Sequence, residues 1–231
     1  MGRLLSFKLI RDEMHKKLGG GIPEGSLLLI EGESGTGKSV FLQRLAYGFL
    51  ENEIGVTYIS TQMTTKNFIN QMYSLSFPIL SFLASGKLLF IPVYPLIGEK
   101  KTSEGFIKKI VESEQLYKSN VVIFDTISDL IKDTVNKENT EYIVKFFKRL
   151  TGVGKTLFLA ANPEDLDRNI FSVFKNVADL HFITAKKKVG DRVKHSLLVS
   201  KYVGALHEYE VSMNFRIVSK IGFVIEISTV A

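Results

Sequence analysis

Apolar residues in this chain come in short unbroken runs, separated by stretches with a helical period. Ser26-Leu27-Leu28-Leu29-Ile30 is too short for a helix and reads as a buried strand. Gly-rich sequence follows, then residues 39–50, where Val40, Phe41, Leu45 and Phe49 recur at the spacing of one helix face. Residues 56–59, 88–93, 121–124 and 156–160 repeat the strand pattern, and 67–75, 106–117 and 142–150 repeat the helical one. Strands that are apolar at successive positions are buried on both faces, so the alternation predicts a mainly parallel sheet flanked by helices. From about Ala178 the pattern becomes strand after strand, at 179–183, 196–199, 207–211 and 222–227, with partial alternation. This predicts an antiparallel C-terminal β edge. No repeat, low-complexity tract or linker divides residues 1–231, which read as a single α/β domain.

With 231 residues, 45% hydrophobic and 23% charged, the composition is that of a globular chain able to form a core without metal or disulfides. There is no cysteine, which excludes zinc knuckles and thiol nucleophiles and suits a reducing, cytoplasmic setting. No run approaches the ~20 apolar residues of a bilayer span, so no membrane insertion is expected. Lys and Arg outnumber Asp and Glu by 30 to 24, a net charge of +6 that favours anionic ligands without selecting one. The charges are dispersed, and Lys186-Lys187-Lys188 reads as a solvated cluster.

The chemistry concentrates at Gly32-Glu33-Ser34-Gly35-Thr36-Gly37-Lys38-Ser39, which fits G-x-x-x-x-G-K-[ST] between a predicted strand and a predicted helix. Chance supplies about 0.02 such matches in a chain of this length. The glycines let backbone N–H groups turn toward phosphates, Lys38 reaches the β and γ phosphates, and the Ser39 hydroxyl is a Mg²⁺ ligand. Ser34 to Val40 is therefore the candidate nucleotide-binding segment. Asp125, after four apolar residues, is the candidate acid that holds the metal with Ser39, its other reading being a cap on the following helix. Asn162, ending the next apolar strand, is either a γ-phosphate sensor or the first residue of a turn before Pro163. Asn136-Lys137-Glu138-Asn139 lacks the final acid of a guanine-reading motif, which leaves adenine favoured.

The stretch Gly19-Gly20-Gly21-Ile22-Pro23-Glu24-Gly25-Ser26-Leu27-Leu28-Leu29-Ile30-Glu31-Gly32 resembles the opening of KaiC-like members of the RecA superfamily. The second strand, the Asp125 strand, the Asn162 strand, Ala178-Asp179 and Ser200-Lys201 follow in that family's order. Within it, Tyr58-Ile59-Ser60-Thr61 and Gln71-Met72-Tyr73-Ser74-Leu75 are most similar to the accessory ATP-binding proteins of the archaellum motor. The resemblance implies a RecA-like P-loop fold that binds ATP with Mg²⁺ and assembles as a ring, typically a hexamer. It also implies a place at the cytoplasmic base of the membrane-embedded motor, beside the motor ATPase and a membrane-linked scaffold protein.

Two positions depart from the family pattern. Gln62 stands where such ATPases carry a glutamate base, and Lys201-Tyr202-Val203 keeps a lysine that reaches a neighbouring subunit's phosphates but has valine in place of arginine. Both changes spare binding and weaken turnover, so the expected function is an ATP-binding regulatory or assembly subunit with absent or slow hydrolysis. An active ATPase or autophosphorylating kinase is the first alternative and a DNA-binding recombinase paralog the second. Against DNA, the segments after Asp125 and Asn162 carry Asp129, Asp133, Glu138, Glu141, Glu164, Asp165 and Asp167, too acidic to track phosphates, and no nucleic acid is expected.

Overall fold

The computed structural model describes residues 2–10, 13–93, 104–132, 136–189 and 192–226, so Asp133 and Ile227, named above, lie outside the described residues. In chain order the elements are β1 (Leu4–Leu5), α1 (Met14–Lys17), β2 (Ile22–Pro23), β3 (Leu27–Glu31), α2 (Lys38–Glu51) and β4 (Val56–Ser60). Then come α3 (Thr65–Ser74), α4 (Leu80–Ala84), β5 (Leu88–Pro92), α5 (Glu104–Glu112), β6 (Val121–Asp125) and α6 (Ile127–Ile131). The chain continues with α7 (Lys137–Gly152), β7 (Thr156–Ala161), α8 (Arg168–Val177), β8 (Leu180–Val189), β9 (Arg192–Tyr202), β10 (Ser212–Val218) and β11 (Gly222–Glu226).

Among the described residues, nine strands form one sheet in the order β11-β10-β9-β8-β3-β7-β6-β4-β5. From β8 to β5 all pairings are parallel, and from β8 to β11 all are antiparallel. The burial pattern gives the cause: β4, β6 and β7 are buried at every position, as strands covered on both faces must be, while the edge strand β5 alternates. On one face α2 and α3 pack Phe41, Leu45, Phe49, Phe68 and Met72 onto Leu28, Ile30, Tyr58 and Ile123. On the other, α6, α7 and α8 pack Ile127, Ile131, Ile143, Phe147 and Phe174 onto Leu27, Leu29, Val122 and Leu159. Each fully buried Leu, Ile or Phe contributes about 1.5–3 kcal/mol, so the two layers fix β3 and β6 relative to each other.

The RecA-like α/β reading with an antiparallel C-terminal edge is correct, and several elements differ from expectation. Residues 207–211 form no strand, and the strand lies at Ser212–Val218 instead. The Glu210 N–H donates to Lys17 O at 2.8 Å and Tyr209 packs on Tyr202, so the backbone of this segment serves the N-terminal region. Met213 and Phe215, which fill the core, set the register of β10. The predicted helix at 106–117 is α5 followed by a separate 3₁₀ turn at Glu114–Tyr117. The short helices α4 and α6, and α8, were not anticipated.

Candidate functional site

The loop joining β3 to α2 emerges at the carboxyl ends of the parallel strands, where such folds bind ligands. Gly37 caps α2 with φ of 96°, a left-handed conformation that a side chain would strain, and the free N–H groups of the first helical turn face the loop. Lys38 is 7% exposed, and its ammonium donates to Gly32 O and to Glu33 O (2.8 Å). Burial lowers the Lys38 pKa, opposed by the charges of Asp125, Asp165, Asp129 and Glu33, so the group is a desolvated cation with acids on several sides. Ser34 and Gly35 are exposed at the loop tip, Thr36 is buried, and Ser39 and Val40 are half-buried in the first turn of α2.

Asp125 ends β6 and is 1% exposed. Ser39 Oγ donates to its Oδ1 at 2.9 Å and Tyr58 Oη to its Oδ2 at 2.7 Å. The helix-cap alternative does not hold, because Thr126 occupies the N-cap position of α6. Burial raises the Asp125 pKa against hydrogen bonds from Tyr58 and Ser39 and the charge of Lys38. Among the described residues no group of three or more His, Asp or Glu side chains forms a metal cage. A hydroxyl and a carboxylate in contact are nevertheless the hard oxygen donors that Mg²⁺ takes when phosphates and water complete its shell. The donor set fits that ion.

The remaining candidates divide. Gln62 is exposed on the turn after β4, whose Thr61 N–H donates to Asp125 O at 2.9 Å, so position 62 lies at the same sheet end as Asp125. Asn162 follows β7 at that end too, where its side chain accepts from the Glu164 N–H at 3.3 Å in a turn. Lys201 lies elsewhere: on β9 it pairs with His181, level with the interior of β3, and its ammonium donates to Asn176 O (3.3 Å) and Ala178 O at the end of α8. Val203 is 54% exposed just beyond it.

Several residues around the loop and Asp125 had no site role in the sequence reading, Thr184 and His195 being unmentioned there, Lys186 read as part of a solvated cluster and Asp129 as one of the acids that disfavour DNA. Thr184 Oγ1 meets Thr36 Oγ1 at 2.8 Å and donates to Glu31 O at 3.1 Å. Lys186 Nζ donates to Ser34 O at 2.9 Å, and His195 Nδ1 lies 3.1 Å from Thr36 O while its ring stacks on Phe215. A Cβ on Gly32 would overlap Thr184, so glycine is needed there for close packing. Asp129, beside Asp125, accepts from Thr126 Oγ1 (2.7 Å), Lys132 Nζ (3.1 Å) and Thr61 Oγ1 (3.2 Å). No local sequence signal marks these residues; Tyr58, a phenol buried in a central strand, is the comparable signal for Asp125, which accepts from its hydroxyl.

A family model described as "ATPase: KaiC" matches residues 10–228. The chain is 44% identical over 228 residues to the archaeal flagellar ATP-binding protein FlaH of Methanocaldococcus jannaschii, covering 99% of this chain and 98% of that one. It is 38% identical to the protein of the same description from Methanococcus voltae over 224 residues, 97% of each. The crystal structure of the M. jannaschii flagellar accessory protein FlaH superposes with a TM-score of 0.91 at 43% identity, covering 98% of this chain and 100% of that one. A KaiC-like protein from Pyrococcus horikoshii, at 17% identity, superposes with a TM-score of 0.76 over 98% of this chain and 100% of that one, a likeness of fold alone.

Proposed function

The chain belongs to the KaiC ATPase family, and from that premise we propose that it is an archaellum ATP-binding protein of the FlaH kind. Its role is that of a regulatory or assembly subunit whose nucleotide state controls self-association and contact with the motor ATPase. The observation that carries the reading is the contact of Ser39 Oγ with Asp125 Oδ1 beside a loop that buries Lys38 and opens the N-terminus of α2. The loop N–H groups and Lys38 bind the phosphates of ATP, and Ser39 and Asp125 hold Mg²⁺. That ion neutralises phosphate charge when bound. Lys186 and His195 anchor the backbone of the loop at Ser34 and Thr36, and Thr184 anchors the Thr36 side chain.

Hydrolysis is slow or absent because position 62 offers an amide where a carboxylate base would take a proton from water, and because Val203 brings no guanidinium. A working ATPase is the second reading, favoured by the description of the matching family. Calorimetric titration with Mg·ATP, with single-turnover cleavage on the same protein, tests both. Tight binding with cleavage far below 1 s⁻¹ supports the regulatory reading, cleavage at or above about 1 s⁻¹ supports the enzyme, and no binding removes both. Attachment at the base of the motor, beside the motor ATPase and a membrane-linked scaffold, is part of the proposal. Among the described residues no helix is long and apolar enough to cross a membrane.

A further inference from the structure

We infer that Tyr58 is a positioning residue for the metal, acting through Asp125, an inference that rests on the Mg·nucleotide reading above. Tyr58 lies in β4, paired in parallel with β6, where it is level with Ile123 and two residues short of Asp125. Its hydroxyl reaches up the sheet to Asp125 Oδ2 at 2.7 Å, while Ser39 holds Oδ1 at 2.9 Å. Each carboxylate oxygen therefore has one fixed donor, which sets the carboxylate plane and leaves a defined remaining lone pair on each oxygen.

The phenol cannot swing away. Tyr58 is 0% exposed, its ring lies against Phe68 of α3 (4.9 Å between centroids) and Phe90 of β5 (6.1 Å), and those two rings stack at 4.1 Å. A carboxylate that holds a hydrated ion through its lone pairs needs that orientation before the ion arrives, which is what residues behind the direct ligands supply. Ser39 alone cannot supply it, because its own oxygen is a candidate ligand and its hydrogen bond fixes only one side of the carboxylate. Phe68 also belongs to α3, the helix that follows the Gln62 turn, so one aromatic stack supports both the metal-binding acid and the element that begins after that turn.

Tyr58→Phe tests this, because it keeps the stacked ring and removes only the hydroxyl. Affinity for a fluorescent ATP analogue is measured with Mg²⁺ and with EDTA in wild type, Tyr58→Phe, Asp125→Asn and the double variant, with melting temperatures alongside. Tyr58→Phe is expected to lose about 10-fold of the Mg²⁺-dependent gain, the usual loss for a residue behind a metal ligand, with metal-free affinity within twofold of wild type. In the Asp125→Asn background the same change should cost nothing further. An undiminished Mg²⁺ gain in Tyr58→Phe overturns the inference, as do equal losses with and without metal, which would make the hydroxyl a packing group. Wild type that fails to bind the analogue at all overturns the nucleotide reading itself. Wild type that binds it equally with and without Mg²⁺ leaves that reading standing and removes the metal role of both Asp125 and Tyr58.

Discussion

Replacing Lys38 by alanine separates what this side chain does for the fold from what it does for a ligand. In the fold it is a buried cation satisfied by two loop carbonyls, those of Gly32 and Glu33. Hydrogen bonds to charged donors are worth about 1.5–3 kcal/mol each, but removing the ammonium also removes its desolvation cost, so the two largely cancel. A net loss of about 1 kcal/mol is expected, lowering Tm by roughly 2–4 °C in a chain of this size. With phosphates in the loop the same ammonium faces buried opposite charge, and truncating one partner of such a pair costs about 2–5 kcal/mol. At 1.4 kcal/mol per factor of ten, affinity for ATP should fall about 30- to 4,000-fold. Titration calorimetry on Lys38→Ala and Lys38→Met, with thermal melts of both, provides the comparison, since methionine refills the volume without the charge. Both variants should be folded and weak. ATP affinity within threefold of wild type in either one would refute the assignment of Lys38 to the phosphates, and a collapse of Tm in both would show that the loop carbonyls depend on the ammonium.

Gly32→Ala should reduce ATP affinity at least 10-fold by pushing the loop off Thr184 and Thr36, and undiminished binding by calorimetry would show that the loop yields more freely than its packing implies. Gln62→Glu should raise single-turnover cleavage by restoring a carboxylate base, within the roughly 10²–10⁴ that such a base contributes, and adding Val203→Arg should raise it further only in assembled protein. A rise from Val203→Arg in monomer would place the guanidinium in its own site. Self-association should tighten with Mg·ATP and lose that dependence in Lys201→Ala, as read by sedimentation; identical profiles with and without nucleotide would remove the link.

The phosphate loop and the Asp125 strand were legible because their chemistry is contiguous: four apolar residues and an acid, or eight residues with glycines at fixed places, carry their own context. The wall around the loop was not. Thr184 and His195 lie 148 and 159 residues from Thr36, on strands whose side chains acquire meaning only once β8 pairs with β3. The misplaced strand at 207–211 has the same origin. His207, Tyr209 and Val211 alternate as plausibly as Met213, Phe215 and Ile217, and the choice falls to the set that fills the core beside Phe223 and Phe41. Asp125 was read correctly as an acid at a strand end, yet its second donor, Tyr58, comes from a neighbouring strand that no local pattern joins to it.

On the proposed role of Lys201 at a subunit boundary, the arrangement of β9 bounds how strongly self-association would respond to nucleotide. One end of the strand carries His195 against the loop at Thr36, and Lys201 lies six residues on, about 20 Å away at the usual rise per residue. β9 is paired with β8 along this stretch but with β10 only from His195 to Leu198, and its register against β8 shifts between Val199 and Lys201, so Lys201 lies past an irregularity in the strand that links it only loosely to the loop. The Lys201 ammonium is not waiting for a partner, because two carbonyls at the end of α8 already accept from it. Reaching a neighbouring phosphate exchanges those bonds for charge-assisted ones, and only the difference can tighten an assembly. If that difference is of the order of one net hydrogen bond, about 0.5–1.5 kcal/mol, the gain per interface is about 2- to 10-fold. A nucleotide effect on self-association much above that range, surviving in Lys201→Ala, would have to come from contacts other than that of Lys201, and the loop tip, where Ser34 and Gly35 are exposed, is the first place to test.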